Sequence, residues 1–321
     1  MFWQVQPDNP SDGSAVLYEV FTGVLANLDV PNLVQCSHHI FVGDTRDGGA
    51  SAWLRAPNQS GARPRRWLGH SEKSEEIPDG ADWPGPIASL PDASVTSERG
   101  EVPLRCRCRG VDLVLRAPDR EFEGKAWAEL PWFVDPVTHK GIASFDVCNS
   151  CRIQSGTDIF HWTFALLRQI AFPRATTSAG AQHDSSNSNS NSPFPATTSE
   201  LREAVTGGDP RFGTLALYAS SPDVQRYFCS RCAAVVFYCV DDRPDMLDVA
   251  LGLLEAPSGA RAEEFVSWIL GGDSAHREDM AGGWRDGHMN AVELAAEAWR
   301  VARKYPKHWR TVEKKEAAVR G

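Results

Sequence analysis

Six of the eight cysteines lie in three close pairs, and their spacing predicts that they bind metal ions. The pairs are Cys106 with Cys108, Cys148 with Cys151, and Cys229 with Cys232. Two sulfurs separated by one or two residues at a tight turn can converge on one tetrahedral zinc ion, at Zn–S distances of about 2.3 Å. Six buried thiols without a metal are the alternative. Three such pairs within residues 106–232 of a chain whose thiols are expected to stay reduced favour zinc.

Six sulfurs can be divided into one closed site of four thiolates and one incomplete site. A closed four-thiolate site is structural, because no coordination position is left for a substrate. An incomplete site keeps a position open for water or an incoming thiolate. Zinc at such a site lowers the pKa of a bound thiol and polarises a carbonyl group, which suits the addition of a thiol to an aldehyde or the reverse reaction.

Three stretches around these pairs resemble one known family. They are LRCRCRGVDLVL at 104–115, CNSCRIQSG at 148–156 and YASSPDVQRYFCSRC at 218–232. Together they make residues 100–255 similar to the glutathione-dependent formaldehyde-activating enzyme family, which includes centromere protein V. The resemblance implies a mainly β fold, a zinc-binding β-tent of small antiparallel sheets. It also implies that a structural zinc is held by the CxC and CxxC pairs, here Cys106, Cys108, Cys229 and Cys232.

The family's second site is a CxCxxC motif whose three sulfurs hold a catalytic zinc, and this chain departs from it. Asp146 stands where the first cysteine is expected, ahead of Cys148 and Cys151. A carboxylate can bind zinc, so these three residues can still form an open catalytic site. The alternatives are an empty site with vestigial cysteines, or Asp146 as a proton-transfer group. Arg109 and Ala233 replace glycines that are usual in the family, and a Cβ disfavours positive φ there.

The residues directly after the second pair are candidates for substrate binding. Arg152, Gln154, Ser155 and Gly156 follow Cys151. A guanidinium and backbone N–H groups beside zinc suit a carboxylated substrate such as glutathione. An ordinary surface ion pair is the alternative role for Arg152.

The resemblance implies a carbon–sulfur lyase similar to S-(hydroxymethyl)glutathione synthase. Its expected reaction is the zinc-dependent formation or cleavage of a glutathione or other thiol adduct of an aldehyde or small metabolite. The alternative belongs to another class of protein, a non-catalytic zinc-stabilised binding module with a dead second metal site. The number of zinc ions per chain separates the two, because the lyase needs about two and the module about one.

The elements that must position these residues are mainly strands. Alternating or short apolar runs predict strands at 111–118, 158–167, 214–221, 234–240 and 246–254. A different period follows, because Val292, Leu294, Ala295, Ala298 and Trp299 recur at helical spacing. This pattern predicts an amphipathic C-terminal helix over 289–304.

Four segments are predicted along the chain. Residues 1–55 form a degenerate half-repeat of the same fold, 56–99 a linker rich in Pro, Gly and Ser, 100–275 the complete zinc-binding domain, and 276–321 a helical tail. A mobile loop is expected at 174–212, because its Ser/Asn-rich part buries too little apolar area to order itself.

An internal repeat underlies the first of these assignments. MFWQV at 1–5 aligns with VFYCV at 236–240, which places Phe2 on Phe237 and Trp3 on Tyr238. Each is followed by a polar turn and an apolar strand, at 14–27 and 245–256. Unless the match is chance, the chain begins inside a domain whose first half is missing. The half-repeat then offers a surface through which a homo-oligomer could form.

Length and charge restrict the remaining classes of function. The 321 residues suffice for one large or two ordinary domains. A formal charge of −9 argues against nucleic acid as a partner. No apolar run approaches the ~20 residues that span a bilayer, and the N-terminus resembles no signal peptide. We therefore expect a cytoplasmic protein without membrane or nucleic-acid partners.

Overall fold

Strands dominate the structure, a computed structural model that describes residues 2–5, 17–80, 100–173, 193–272 and 274–313. The fifteen strands within these residues are β1 (Phe2–Val5), β2 (Leu17–Val20), β3 (His38–His39), β4 (Arg65–Trp67), β5 (Glu76–Ile77), β6 (Glu101–Arg105), β7 (Asp112–Arg116), β8 (Gly141–Asp146), β9 (Phe160–Leu166), β10 (Ile170–Ala171), β11 (Leu215–Ser221), β12 (Val224–Cys229), β13 (Val235–Val240), β14 (Met246–Ala250) and β15 (Val266–Trp268). The helices are α1 (Asp119–Phe122), α2 (Asn149–Ser155), α3 (Thr198–Thr206) and α4 (Trp284–Ala302). The mainly β class predicted from the sequence is confirmed.

The largest sheet has seven strands in the order β11-β12-β13-β14-β9-β8-β15. Neighbouring strands are antiparallel, except that β15 runs parallel to β8. Four of the predicted strands lie in this sheet as β9, β11, β13 and β14. The last is shorter than predicted, because a 3-10 turn at Leu251–Leu253 follows β14. This sheet positions residues of both metal-ligand candidates, because Cys229 ends β12 and Asp146 ends β8.

The main core lies between the large sheet and the three-stranded sheet β10-β7-β6. Leu104 and Leu113 from the small sheet are 0% and 1% exposed and join the same apolar cluster as Phe237 and Val249 from the large sheet. Burying one such side chain contributes about 1.5–3 kcal/mol to stability. Successive residues of a strand face opposite sides, so the other face of the large sheet is free to line a cleft.

The predicted linker is wrong for its first part. Residues 56–80 contain β4 and β5, which form a small sheet with β3. Trp67 and Ile77 are buried there, at 6% and 7% exposure. The proline, glycine and serine content therefore led to the prediction of a linker where the chain forms two short strands that carry buried side chains. Residues 81–99 lie outside the described residues.

The predicted mobile loop is also wrong in part. Residues 174–192 lie outside the described residues, but 193–212 contain α3, whose first turn is capped by the Thr197 hydroxyl accepting from the N–H of Glu200. Phe194 and Phe212 are buried and stack with Phe172 at centroid distances of 5.4 and 5.2 Å. The aromatic contacts order this half despite the polar sequence before it.

The C-terminal helix begins earlier than predicted. α4 starts at Trp284 and ends at Ala302, and it buries Met289, Val292 and Ala296 against the main core. Its first turn is fixed from outside the helix, because the Arg285 side chain donates to Asp158 and the Trp284 indole donates to the Ala26 carbonyl. In the described part of the chain, no helix combines the length and apolar character needed to cross a membrane.

The N-terminal hairpin has the same register as the hairpin with which it was aligned. Phe2 pairs with Val20 in the β1–β2 sheet, as Phe237 pairs with Val249 between β13 and β14. A 3-10 turn follows the second strand in both, at Thr22–Val24 and Leu251–Leu253. These agreements support the repeat, although residues 6–16 lie outside the described residues. The superposition of the two segments stays a prediction.

The first 3-10 turn packs tightly against the end of α2. The Gly23 N–H donates to the Gly156 carbonyl at 3.0 Å, and the Arg152 guanidinium donates to the carbonyls of Gly23 and Leu25. A Cβ on Gly23 would lie 2.4 Å from the backbone carbon of Gly156. No side chain larger than hydrogen fits there without displacement.

Gly23→Ala is therefore expected to lower the free energy of unfolding by about 1–3 kcal/mol, as overpacked sites do. Gly252 is a matched control, because it holds the corresponding place in the second 3-10 turn and a Cβ there would meet nothing within 4 Å. Gly252→Ala should change stability by less than about 0.5 kcal/mol. Urea unfolding of both variants checks this. Equal effects would contradict the tight packing at Gly23.

Candidate metal centres

Four cysteines converge at the junction of the small and large sheets. Cys106 and Cys108 follow β6, Cys229 ends β12, and Cys232 follows in the next turn. Their sulfurs all lie within 4.8 Å of one another. The Cys108 sulfur is 3.5 Å from those of Cys106 and Cys229, although Cys108 and Cys229 are 121 residues apart in the chain. Four sulfurs around one ion at 2.3 Å would be about 3.8 Å apart, so the group fits a tetrahedral metal ion.

Hydrogen bonds favour a thiolate at one residue of this group, Cys229. The N–H of Val111 donates to the Cys106 sulfur at 3.3 Å, and the N–H of Cys232 donates to the Cys229 sulfur at 3.4 Å. Burial raises the pKa of Cys229, but donors that include the Thr214 hydroxyl, 3.0 Å from the sulfur, bring it down to about 6. The pKa of Cys108 differs, because a backbone donor lowers it but desolvation and contacts with the other cysteines raise it to about 12. Sequence analysis did not single out Thr214. Because metal ligands must be deprotonated, the donors to Cys229 prepare that residue to bind an ion.

The turns after Cys108 and Cys232 both use the left-handed conformation that favours glycine. Arg109 has φ of 59° and Ala233 has φ of 60°. Each N–H donates back across its turn, from Arg109 to the Cys106 carbonyl and from Ala233 to the Cys229 carbonyl. The turns therefore form without glycine. The backbone is strained at both positions, because a Cβ makes the left-handed region about 1–2 kcal/mol less favourable.

A second group consists of Asp146, Cys148 and Cys151, whose ligand atoms lie within 4.8 Å of one another. Asp146 ends β8, Cys148 is the N-cap residue of α2, and Cys151 lies in its first turn. The segment is held by its own side chains, since the Asp146 Oδ1 accepts from the N–H of Cys148 at 2.9 Å and the Cys148 sulfur accepts from the N–H of Cys151 at 3.2 Å. All three residues line a cleft, so the group is open on that side.

The two thiols of this group differ in acidity. A hydrogen bond between the two side chains lowers the pKa of Cys151 and raises that of Cys148, and the Trp162 side chain also lowers the pKa of Cys151. Cys151 is buried and Cys148 is half-buried. The pair therefore favours one thiolate, a further feature expected of a ligand group.

A cleft of about 1220 Å³ opens beside the second group. Its floor includes a row of residues on adjacent strands, with Phe164 opposite Asp248, Asp248 opposite Tyr238, and Tyr238 opposite Arg226. Side chains opposite one another on antiparallel strands have Cβ atoms about 5 Å apart. The row therefore places a carboxyl group and a guanidinium on either side of a phenol ring, next to the second group.

Asp248 is a buried carboxyl group in this floor, 8% exposed. Burial raises the pKa of Asp248 to about 7, although Arg243 lowers it by donating to Oδ1 at 3.1 Å. A carboxyl group with such a pKa can take up and release a proton near neutral pH. The sequence analysis did not identify Asp248.

None of the four predicted substrate-binding residues lines the cleft, and their role in binding substrate stays a prediction. Arg152 is buried and bonded to Asn149 and to carbonyls of the N-terminal turn. Ser155 bonds to the Cys151 carbonyl and to Thr157. Gly156 closes α2 with φ of 77°. Of the four, Gln154 is the one with a hydrogen bond to a described cleft residue, because its Oε1 accepts from Arg226 at 2.8 Å.

The fold and these two groups define a mainly β protein with two sets of side chains that could each hold a metal ion, one closed by four sulfurs and one open to a cleft. Comparison of the chain with protein-family models, with curated proteins and with solved structures finds no match.

Proposed function

We propose that the protein is a zinc-dependent carbon–sulfur lyase with a β-tent fold. Its substrate is an adduct of glutathione or another thiol with an aldehyde or small metabolite. The observation that carries the proposal is the open group of Asp146, Cys148 and Cys151 at the edge of a cleft, beside a separate closed group of four cysteines. The motifs similar to the glutathione-dependent formaldehyde-activating enzyme family support the same reaction.

The donor sets favour zinc. Sulfur-rich sites select zinc over magnesium or calcium, and tetrahedral coordination by four thiolates is typical of structural zinc. Three donors with one side open are typical of catalytic zinc. Zinc bound at the second group would supply a lowered pKa for a coordinated thiol and polarisation of an oxygen on the substrate.

The side chains around the cleft supply the remaining chemistry. Asp248 can accept the proton that leaves the hydroxyl group of the adduct when its carbon–sulfur bond breaks, and it can return that proton in the addition direction. Arg243 keeps the Asp248 carboxyl group in place through its hydrogen bond to Oδ1. Asp146 directs one oxygen to the N–H of Cys148, which leaves its other oxygen for the metal.

The reversible addition of glutathione to formaldehyde, monitored by NMR exchange, tests the lyase activity. The wild type should accelerate formation and breakdown of the adduct, and Cys148→Ser should reduce the rate to that of the uncatalysed exchange, because one of three ligands is lost. Cys36→Ser is the matched control, since Cys36 belongs to neither group, and its rate should equal that of the wild type. An uncatalysed rate for the wild type would contradict the proposal.

A non-catalytic zinc-stabilised binding module is the second candidate function. One observation favours it, because the Asp146 carboxylate already caps the N–H of Cys148 and this structural role needs no metal. The module requires only the closed group to be filled. About one zinc per chain, together with no acceleration of the exchange, would support it.

A further inference from the structure

Arg226 is a buried cation in the cleft whose hydrogen-bonding partners, among the described residues, are all neutral. It is 5% exposed, and its guanidinium donates to the Ser220 hydroxyl at 3.0 Å and to the Gln154 amide oxygen at 2.8 Å. Its charge also lies 4.8 Å from the centre of the Tyr238 ring. Among the residues that the structure describes, no carboxylate lies at ion-pair distance from it. A buried charge without a counterion is unfavourable, so the site is suited to an anion.

The other arginines of the cleft have carboxylate partners or are partly exposed. Arg243 pairs with Asp248 at 3.1 Å, and Arg277 pairs with Asp286 at 2.5 Å. Arg310 is partly exposed and donates to the Trp132 carbonyl while stacking on its indole. Arg226 thus differs from them in being both buried and without an ion-pair partner in the described part of the chain.

The position of Arg226 relates it to the second metal group. Its partner Gln154 lies three residues after Cys151 on α2, which is less than one helical turn of about 5.4 Å. Arg226 and the three residues of the second group also line the same cleft. A ligand whose sulfur lies at the second group can therefore reach Arg226 with another part of the same small molecule.

A carboxylate fits this position better than a phosphate. Asp146 and Asp248 also face the cleft, and a doubly charged anion would be repelled by both. A single guanidinium matches a single negative charge, and its planar fork can hold both carboxylate oxygens.

We infer that Arg226 binds the carboxylate of the substrate and so makes the cleft selective for thiols and thiol adducts that carry a carboxylate. This inference rests on the proposed function for the position of the sulfur. It moves to Arg226 the role that the sequence had suggested for Arg152.

Isothermal titration of the zinc-loaded protein with two matched thiols tests the inference. 3-Mercaptopropionate carries the carboxylate, and 3-mercaptopropionamide is its neutral counterpart. The wild type should bind the acid at least about tenfold more tightly, as charge-assisted hydrogen bonds allow. Arg226→Met should abolish this preference and leave the affinity for the amide unchanged.

Two further variants keep the test decisive. Arg202→Met removes an arginine that pairs with Asp241 outside the cleft, and it should keep the full preference. Arg226→Lys keeps the charge without the planar fork, so its preference should fall between those of the wild type and Arg226→Met. An unchanged preference in either Arg226 variant, or none in the wild type, would overturn the inference.

Titration with propionate separates this inference from the proposed function, because propionate is a monoanion that has no thiol and needs no metal. If the protein holds one zinc and lacks lyase activity, propionate binding that is lost in Arg226→Met still supports carboxylate binding by Arg226. If the lyase is active but indifferent to the carboxylate, the inference alone fails. Tighter binding of inorganic phosphate than of propionate would also count against a carboxylate site.

Discussion

Cys229→Ser is expected to unfold the two sheets that meet at the closed group of four cysteines, because it removes one ligand of the proposed zinc ion. The Cys229 side chain is 0% exposed, belongs to the main core, and joins β12 to the turn after β6 through the closed group. Structural zinc contributes about 10–16 kcal/mol in small zinc-binding domains, whereas a whole domain is stable by about 5–15 kcal/mol. Loss of one ligand should therefore remove most of the stability. Circular dichroism and zinc content of the purified variant measure both effects.

Cys239→Ser is the matched control for this prediction. Cys239 lies on β13 in the same sheet, is also 0% exposed, and belongs to neither metal group. Serine there buries one hydroxyl group, which lowers stability by about 1–3 kcal/mol. This variant should remain folded with the zinc content of the wild type. A folded Cys229→Ser protein with full zinc content would show that the closed group has no structural role.

The strands and the three cysteine pairs could be predicted from the sequence because their signals are local, whereas the division of the pairs into two groups rested on the family resemblance. Alternation of apolar residues marks β9, β11 and β13, and two sulfurs one or two residues apart already define a turn that can hold an ion. The left-handed turns at Arg109 and Ala233 could be predicted for the same reason, because each turn is formed by residues close together in the sequence.

The surroundings of the second group could not be predicted from the sequence, because they depend on pairing between distant strands. Arg152 follows Cys151 in sequence, yet the N-terminal turn at Thr22–Val24 covers it. No feature of the sequence around Arg152 predicts that contact. Arg226 and Asp248 meet the cleft only because β12, β13 and β14 are paired in one register. Arg226 stands within the motif YASSPDVQRYFCSRC, but its burial, which distinguishes it from other arginines, is visible only in the structure.

The role of Asp146 decides between an enzyme and a binding module, and it combines two functions that substitution can separate. Its Oδ1 caps the N–H of Cys148, and its carboxylate lies with the sulfurs of Cys148 and Cys151. Asparagine keeps an oxygen that can accept from the N–H but loses the negative charge needed by a good metal ligand. Cysteine supplies a thiolate but no oxygen for the cap. Alanine removes both.

Asp146→Ala should lower the zinc content from about two ions to about one per chain and abolish lyase activity. Asp146→Asn should behave in the same way if the carboxylate is a ligand, but like the wild type if only its cap matters. Asp146→Cys should keep two ions and bind the second more tightly, because thiolate is the softer ligand. All three variants should stay folded, since the closed group is 0–1% exposed at Cys229 and Cys106 and remains complete. Zinc stoichiometry by elemental analysis, measured beside the NMR exchange assay, checks the series. The same stoichiometry in all four proteins would refute the ligand role of Asp146 whatever their activity. If Asp146 were a ligand, Asp146→Ala and Asp146→Asn would have lost it and could not keep the zinc content of the wild type.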